Sequence, residues 1–121
     1  MAKVLIVEDE IIIASMYDFK LRQRGHDVHQ AHNGKDGLQY AEKIIPDAIL
    51  LDINMPFMNG DEMLKLMRST VWGERIKVII LTNISRDEAS HKFRFLHVDR
   101  YIVKAHHTPS QVAQIVEDVL A

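Results

Sequence analysis

Three short runs of this chain are nearly continuous in apolar residues: KVLIV at Lys3–Val7, DAILL at residues 47–51 and KVIIL at residues 77–81. Each is followed at once by polar residues. Runs of this kind read as strands buried on both faces, the environment of a parallel sheet covered by helices. Two weaker runs, Asp27–Ala31 and Arg100–Val103, complete a set of five strands. Between and after them the apolar residues take helical spacing: Ile12, Met16 and Phe19; Leu38, Ala41 and Ile45; Met63, Leu66 and Met67; Ala89, Phe93 and Leu96. Val112, Ile115, Val116 and Val119 form the cleanest stripe.

The local punctuation agrees. Ser85-Arg86-Asp87-Glu88 and Thr108-Pro109-Ser110-Gln111 both match the capping box, and the second adds proline at the first helical position. Gly25 suits the end of the first helix, and Pro46 stops the second. Five βα repeats with short connections predict one α/β domain over residues 1–121, a doubly wound five-stranded parallel sheet with five helices. Ligands of such sheets bind beyond the carboxyl ends of the strands, where the strand order reverses. For the flavodoxin-like order 2-1-3-4-5, that crevice lies between the first and third strands. Those two strands end in Glu8-Asp9 and in Asp52.

Composition narrows the function classes. A length of 121 residues suffices to bury a core without staples. A net charge of −2 and the lack of a basic stripe give no reason to expect direct nucleic-acid binding. The chain has no cysteine, so disulfides and thiolate sites are excluded. No apolar run reaches membrane-span length and the start has no signal-peptide core, so a cytoplasmic domain without membrane contact is expected.

The acids carry chemistry. Glu8, Asp9 and Asp52, gathered at one crevice, would repel pairwise by about 3 kcal/mol at 5 Å and an effective dielectric near 20. Such a cluster holds a proton or binds a cation. All-oxygen ligands favour Mg²⁺ or Mn²⁺ over zinc, with Asp9 and Asp52 direct and Glu8 acting through water. Thr82 closes the fourth strand with a hydroxyl, and Lys104 closes the fifth with an ammonium. A metal, a lysine, a hydroxyl and a carboxylate nucleophile suit phosphoryl transfer through an acyl phosphate.

With these residues in order, the chain resembles the receiver domain of bacterial two-component response regulators. The resemblance runs through Glu8-Asp9, Asp52 with "MP" and Gly60 after it, Thr82, Tyr101 and Lys104, and covers the whole length. The chemotaxis regulator of this family has the 2-1-3-4-5 order, so strand order is not separate support for it. The resemblance implies that Asp52 is the phosphoacceptor, Glu8 and Asp9 the acidic metal pair, and Asn54 a backbone carbonyl ligand. Lys104 would pair with the phosphoryl group, and Thr82 and Tyr101 would form the switch. It further implies a sensor histidine kinase or histidine phosphotransfer protein as donor, and a downstream protein as target. No enzymatic activity is expected beyond self-phosphorylation and self-dephosphorylation. Taken as complete, the chain reads as a stand-alone receiver; it reads equally well as a piece of a longer regulator or hybrid kinase.

Two positions depart from the family pattern. Ala105 stands where proline usually follows the lysine, at a peptide that is commonly cis in the family; a non-proline cis bond costs ~2.5–4 kcal/mol. Asn83 replaces the small residue usual after the threonine and is expected to narrow access to Asp52.

Plainer readings exist for each residue alone. Alone, Asp52 reads as a loop cap, Glu8-Asp9-Glu10 as acids priming a helix dipole, Lys104 as a solvated lysine and Tyr101 as an ordinary strand aromatic. His106-His107 read as surface, and Met55, Met58, Met63 and Met67 as loop and core fillers. Among competing functions, an aspartate-nucleophile phosphohydrolase needs a second carboxylate where Asn54 stands. A flavodoxin-like cofactor site wants amides and hydroxyls where Glu8-Asp9-Glu10 would repel phosphate. The remaining alternative is a receiver-like interaction module that takes no phosphoryl group.

Overall fold

The computed structural model describes residues 1–83, 91, 93 and 96–121. In chain order these form β1 (Lys3–Val7), α1 (Ile11–Gln23), β2 (Asp27–Ala31), α2 (Gly34–Ile44), β3 (Ala48–Asp52), α3 (Gly60–Arg68), β4 (Lys77–Thr82), β5 (Arg100–Val103) and α4 (Pro109–Leu120). A short 3₁₀ turn, Lys104–His106, follows β5. All strand pairs are parallel and the order is β2-β1-β3-β4-β5, as the sequence predicts. Among the described residues there are four α-helices rather than five. The expected capping box at residues 85–88 lies outside the described residues. So does the helix expected around Ala89, apart from Phe93, which is buried, and the half-buried Leu96.

The apolar runs are continuous because the sheet has a core on each face. Leu5, Val7, Ile49, Leu51, Val78 and Ile80 pack with Ala41 of α2, Met63, Leu64 and Met67 of α3, and Phe93. The alternate residues Val4, Ile6, Leu50, Ile79 and Leu81 pack with Ala14, Tyr17 and Leu21 of α1 and Val112, Ala113 and Val116 of α4. Successive side chains point to opposite faces, so every position of a central strand must be apolar.

Several expectations are corrected. β3 runs Ala48–Asp52, and β4 extends to Thr82. Asp47 instead accepts the Lys3 backbone N–H with its side chain, at 2.8 Å. The stripe Ile12, Met16 and Phe19 faces outward; α1 buries Ala14, Tyr17 and Leu21. Its first turn, Ile11-Ile12-Ile13, is apolar all round, so spacing alone admits either face, and the side bearing small Ala14 can approach the sheet closely. Ile45 is exposed and left-handed (φ 45°) because Pro46 disfavours helix at the residue before it. In α3, Leu64 is buried and Leu66 exposed. The Thr108 capping box forms in both directions, and Gly25 takes φ 90° at the end of α1.

Candidate functional site

Register brings the polar strand ends to one rim. Val7 pairs with Leu51, Asp52 with Leu81 and Thr82 with Val103, so Glu8, Asp52, Thr82 and Lys104 each stand at or just beyond the end of a neighbouring strand. The β1–β2 pairing continues one step further, with the Glu8 N–H donating to the Ala31 carbonyl at 3.0 Å. Asp52 is only 6% exposed and Glu8 wholly buried, whereas Asp9 is half-buried toward the rim.

Three oxygens, one each from Glu8, Asp9 and Asp52, lie within 4.8 Å of one another. Lys104 crosses to them from the start of the 3₁₀ turn. Its Nζ donates to Glu8 Oε1 at 2.5 Å and lies 3.3 Å from Asp52 Oδ1. Glu8 Oε2 accepts the backbone N–H of Glu10 at 3.2 Å.

Burial pushes the Asp52 carboxyl up to about 7; the Lys104 ammonium opposes the rise and the Glu8 carboxylate adds to it. Burial alone would pull the Lys104 ammonium down. The hydrogen bond to Glu8 and the charges of Asp52 and Glu8 outweigh it and hold that group above the ordinary lysine value. The site therefore has more negative charge than one lysine neutralises, and its donors are all hard oxygens. Such a donor set fits Mg²⁺ or Mn²⁺.

The β3–α3 loop closes over Asp52 through a tight approach of backbones. Gly60 N–H donates to the Ile53 carbonyl at 2.7 Å, and a Cβ on Gly60 would meet the Asp52 carbonyl oxygen at 2.3 Å. Gly34 N–H holds the Met58 carbonyl at 2.9 Å, tying this loop to the start of α2. Asn59 caps α3 by accepting the Glu62 N–H. Asn54 is exposed two residues beyond Asp52.

The other expected residues are placed as follows. Thr82 is buried at the end of β4, and Asn83 is exposed just past it. Tyr101 is half-buried, its ring 6.3 Å from that of Phe93 at 53°. The peptide after Lys104 is not cis. His106 is exposed, and the half-buried His107 places its ring nitrogen 3.4 Å from the Val103 carbonyl.

Sequence reasoning missed Tyr17. It is buried on the inner face of α1, and its hydroxyl pKa is raised by burial, with Lys104 opposing and Glu8 and Asp52 adding to the rise. Its place in the field of the site had no signal beyond one aromatic in an apolar helix.

The family model of the response regulator receiver domain matches residues 4–117. The alkaline phosphatase synthesis transcriptional regulatory protein PhoP of Bacillus subtilis is 32% identical over 120 residues, covering 98% of this chain and 48% of that protein. The chain thus spans about half the length of that relative. The chemotaxis response regulator CheY4 of Vibrio cholerae superposes with a TM-score of 0.91 at 30% identity, covering 98% of each chain. A DNA-binding response regulator of the LuxR family from Staphylococcus aureus gives 0.87 at 26% identity, covering 100% of each.

Proposed function

The chain belongs to the response regulator receiver family of two-component systems, and from that premise we propose that Asp52 accepts a phosphoryl group and thereby switches a protein-contact face. The observation that carries this reading is the buried Asp52 carboxylate at the end of the central strand, grouped with Glu8 and Asp9 and 3.3 Å from the Lys104 ammonium. A sensor histidine kinase or histidine phosphotransfer protein in the cytoplasm is the proposed donor. An Asp52 oxygen attacks phosphorus, the bond from phosphorus to the donor imidazole breaks, and the imidazole leaves with the electron pair. An acyl phosphate remains.

Receiver domains bind Mg²⁺ at an acidic site, and the oxygens here fit that ion. Asp9, Asp52 and the backbone carbonyl of Asn54 would hold it directly, with Glu8 behind them through water. When bound it supplies positive charge against the phosphoryl oxygens. Lys104 neutralises a further share of that charge in a site where water is scarce.

The phosphoryl group adds nearly two negative charges. The Thr82 hydroxyl turns onto it, and the Tyr101 ring follows into the vacated space. Driving such a switch from 1:99 to 99:1 takes ~5.5 kcal/mol, within reach of several charge-assisted hydrogen bonds. Asn83, exposed beside Thr82, narrows the approach of small donors and of water. Output passes through protein contacts rather than nucleic acid, in keeping with the net charge of −2. Intact-mass measurement after incubation with acetyl phosphate and Mg²⁺ tests this reading: one added phosphoryl group supports it. An unchanged mass with every donor would leave a receiver-like interaction module.

A further inference from the structure

α1 is apolar on two opposite sides. Ala14, Tyr17 and Leu21 face the sheet, while Ile12, Met16 and Phe19 stand half a turn round the helix and are exposed. Steps of four and then three residues set those three in one straight seam, the spacing at which helices pair in coiled coils. Ser15 and Lys20 border the seam with polar groups, and the exposed Gln23 continues it. Among the described residues, no other helix exposes more than one large apolar side chain. A contiguous apolar strip with a polar border marks a protein-contact surface.

We propose that this strip is a self-association face, on which a second copy of the chain lies antiparallel along Ile12, Met16 and Phe19. The strip is self-complementary. Met16 stands near its middle, so a two-fold axis at Met16 lays Ile12 of each copy against Phe19 of the other. Charge has the same polarity: Glu10 is exposed at the start of α1, and Lys20, Arg22 and Arg24 gather at its end. Arg22 is paired with Asp18 and Arg24 with Glu117, whereas Lys20 bonds only the neutral Gln23 and keeps its charge for a partner. Antiparallel pairing brings the acidic start of each helix to the basic end of the other, and it opposes the two helix dipoles favourably. Parallel pairing would set like against like. A partner of another kind would need neither the central Met16 nor the opposed charges. Three side chains per copy make a small contact, so the association is weak.

Sedimentation velocity on the unaltered chain reads this without any phosphoryl transfer. Monomer should give way to dimer with a midpoint on the order of 100 µM. Met16→Lys sets two ammonium groups face to face on the axis and should raise that midpoint at least about tenfold. Its circular dichroism spectrum should be unchanged, because Met16 is exposed. The chain has no cysteine, so introduced thiols report the geometry through a short bismaleimide. Met16→Cys should cross-link with itself, and Ile12→Cys should link to Phe19→Cys in an equal mixture more than to its own kind. A monomer at every concentration up to about 1 mM would overturn the proposal and leave the strip to a different protein. Undiminished pairing of Met16→Lys, or a preference of Ile12→Cys for its own kind, would overturn it equally.

Discussion

Gly60 approaches Asp52 so closely that a single added carbon would lie 2.3 Å from the Asp52 carbonyl oxygen. The first residue of α3 is thereby packed against the last residue of β3, and the loop between them is held over the site. Gly60→Ala must push the loop away from backbone that cannot yield. The expected cost is about 1–3 kcal/mol in urea unfolding, with slower phosphorylation of Asp52 by small donors. Unchanged stability and rate would mean that the loop tolerates a wider gap.

Phe57 lies within that loop at φ 67°, with the Met58 N–H donating back to the Pro56 carbonyl at 2.8 Å. This is a γ-turn of the strained hand, and the ring is 87% exposed, so little packing offsets the strain. Phe57→Gly should therefore stabilise the fold by about 0.5–1 kcal/mol, the relief of strain exceeding the added freedom of the unfolded chain. Equal or lower stability in chemical denaturation would contradict that conformation.

The two apolar faces of α1 give opposite expectations. Ile12 is 80% exposed, so Ile12→Ser should change stability by no more than about 0.5 kcal/mol. Leu21 is fully buried, and Leu21→Ala should cost roughly 2–5 kcal/mol. Thermal unfolding of the two variants separates them. A large loss at Ile12 would return the outward stripe to the core.

That helix also marks where sequence reading stops. The central strands were legible because burial on both faces demands an unbroken apolar run, and their ends fixed Glu8, Asp52, Thr82 and Lys104 at one rim. The buried face of α1 was not, because apolar residues occupy both sides and the sheet selects the face through closeness at Ala14. Ile45 fits the helical spacing of α2 and Pro46 marks the end of that helix, but spacing alone does not show that the residue before the proline turns left-handed and out of the core. The Lys104 contact with Glu8 was equally hidden: residue types place both groups at the pocket, but only folded side chains decide which acid the ammonium touches.

Stability should depend on pH through Asp52. Its folded-state pKa is raised from 3.8 to about 7, so the folded protein binds a proton that the unfolded chain has released. Its contribution is fully present below the unfolded value and is lost as pH rises through the folded one. Urea unfolding should thus show the unaltered protein losing stability relative to Asp52→Asn between about pH 4 and pH 7. Mg²⁺, by favouring the ionised carboxylate, should flatten the difference. A difference that grows in the opposite direction would contradict the raised pKa.

The most direct test of the account is to trap the acyl phosphate where it forms. After exposure to Mg²⁺ and acetyl phosphate, borohydride reduction converts an aspartyl phosphate to homoserine, which peptide mapping by mass spectrometry locates. The account predicts homoserine at residue 52 alone, and none in Asp52→Asn. Homoserine at Asp9, or a phosphoryl group persisting on the Asp52→Asn protein, would contradict it.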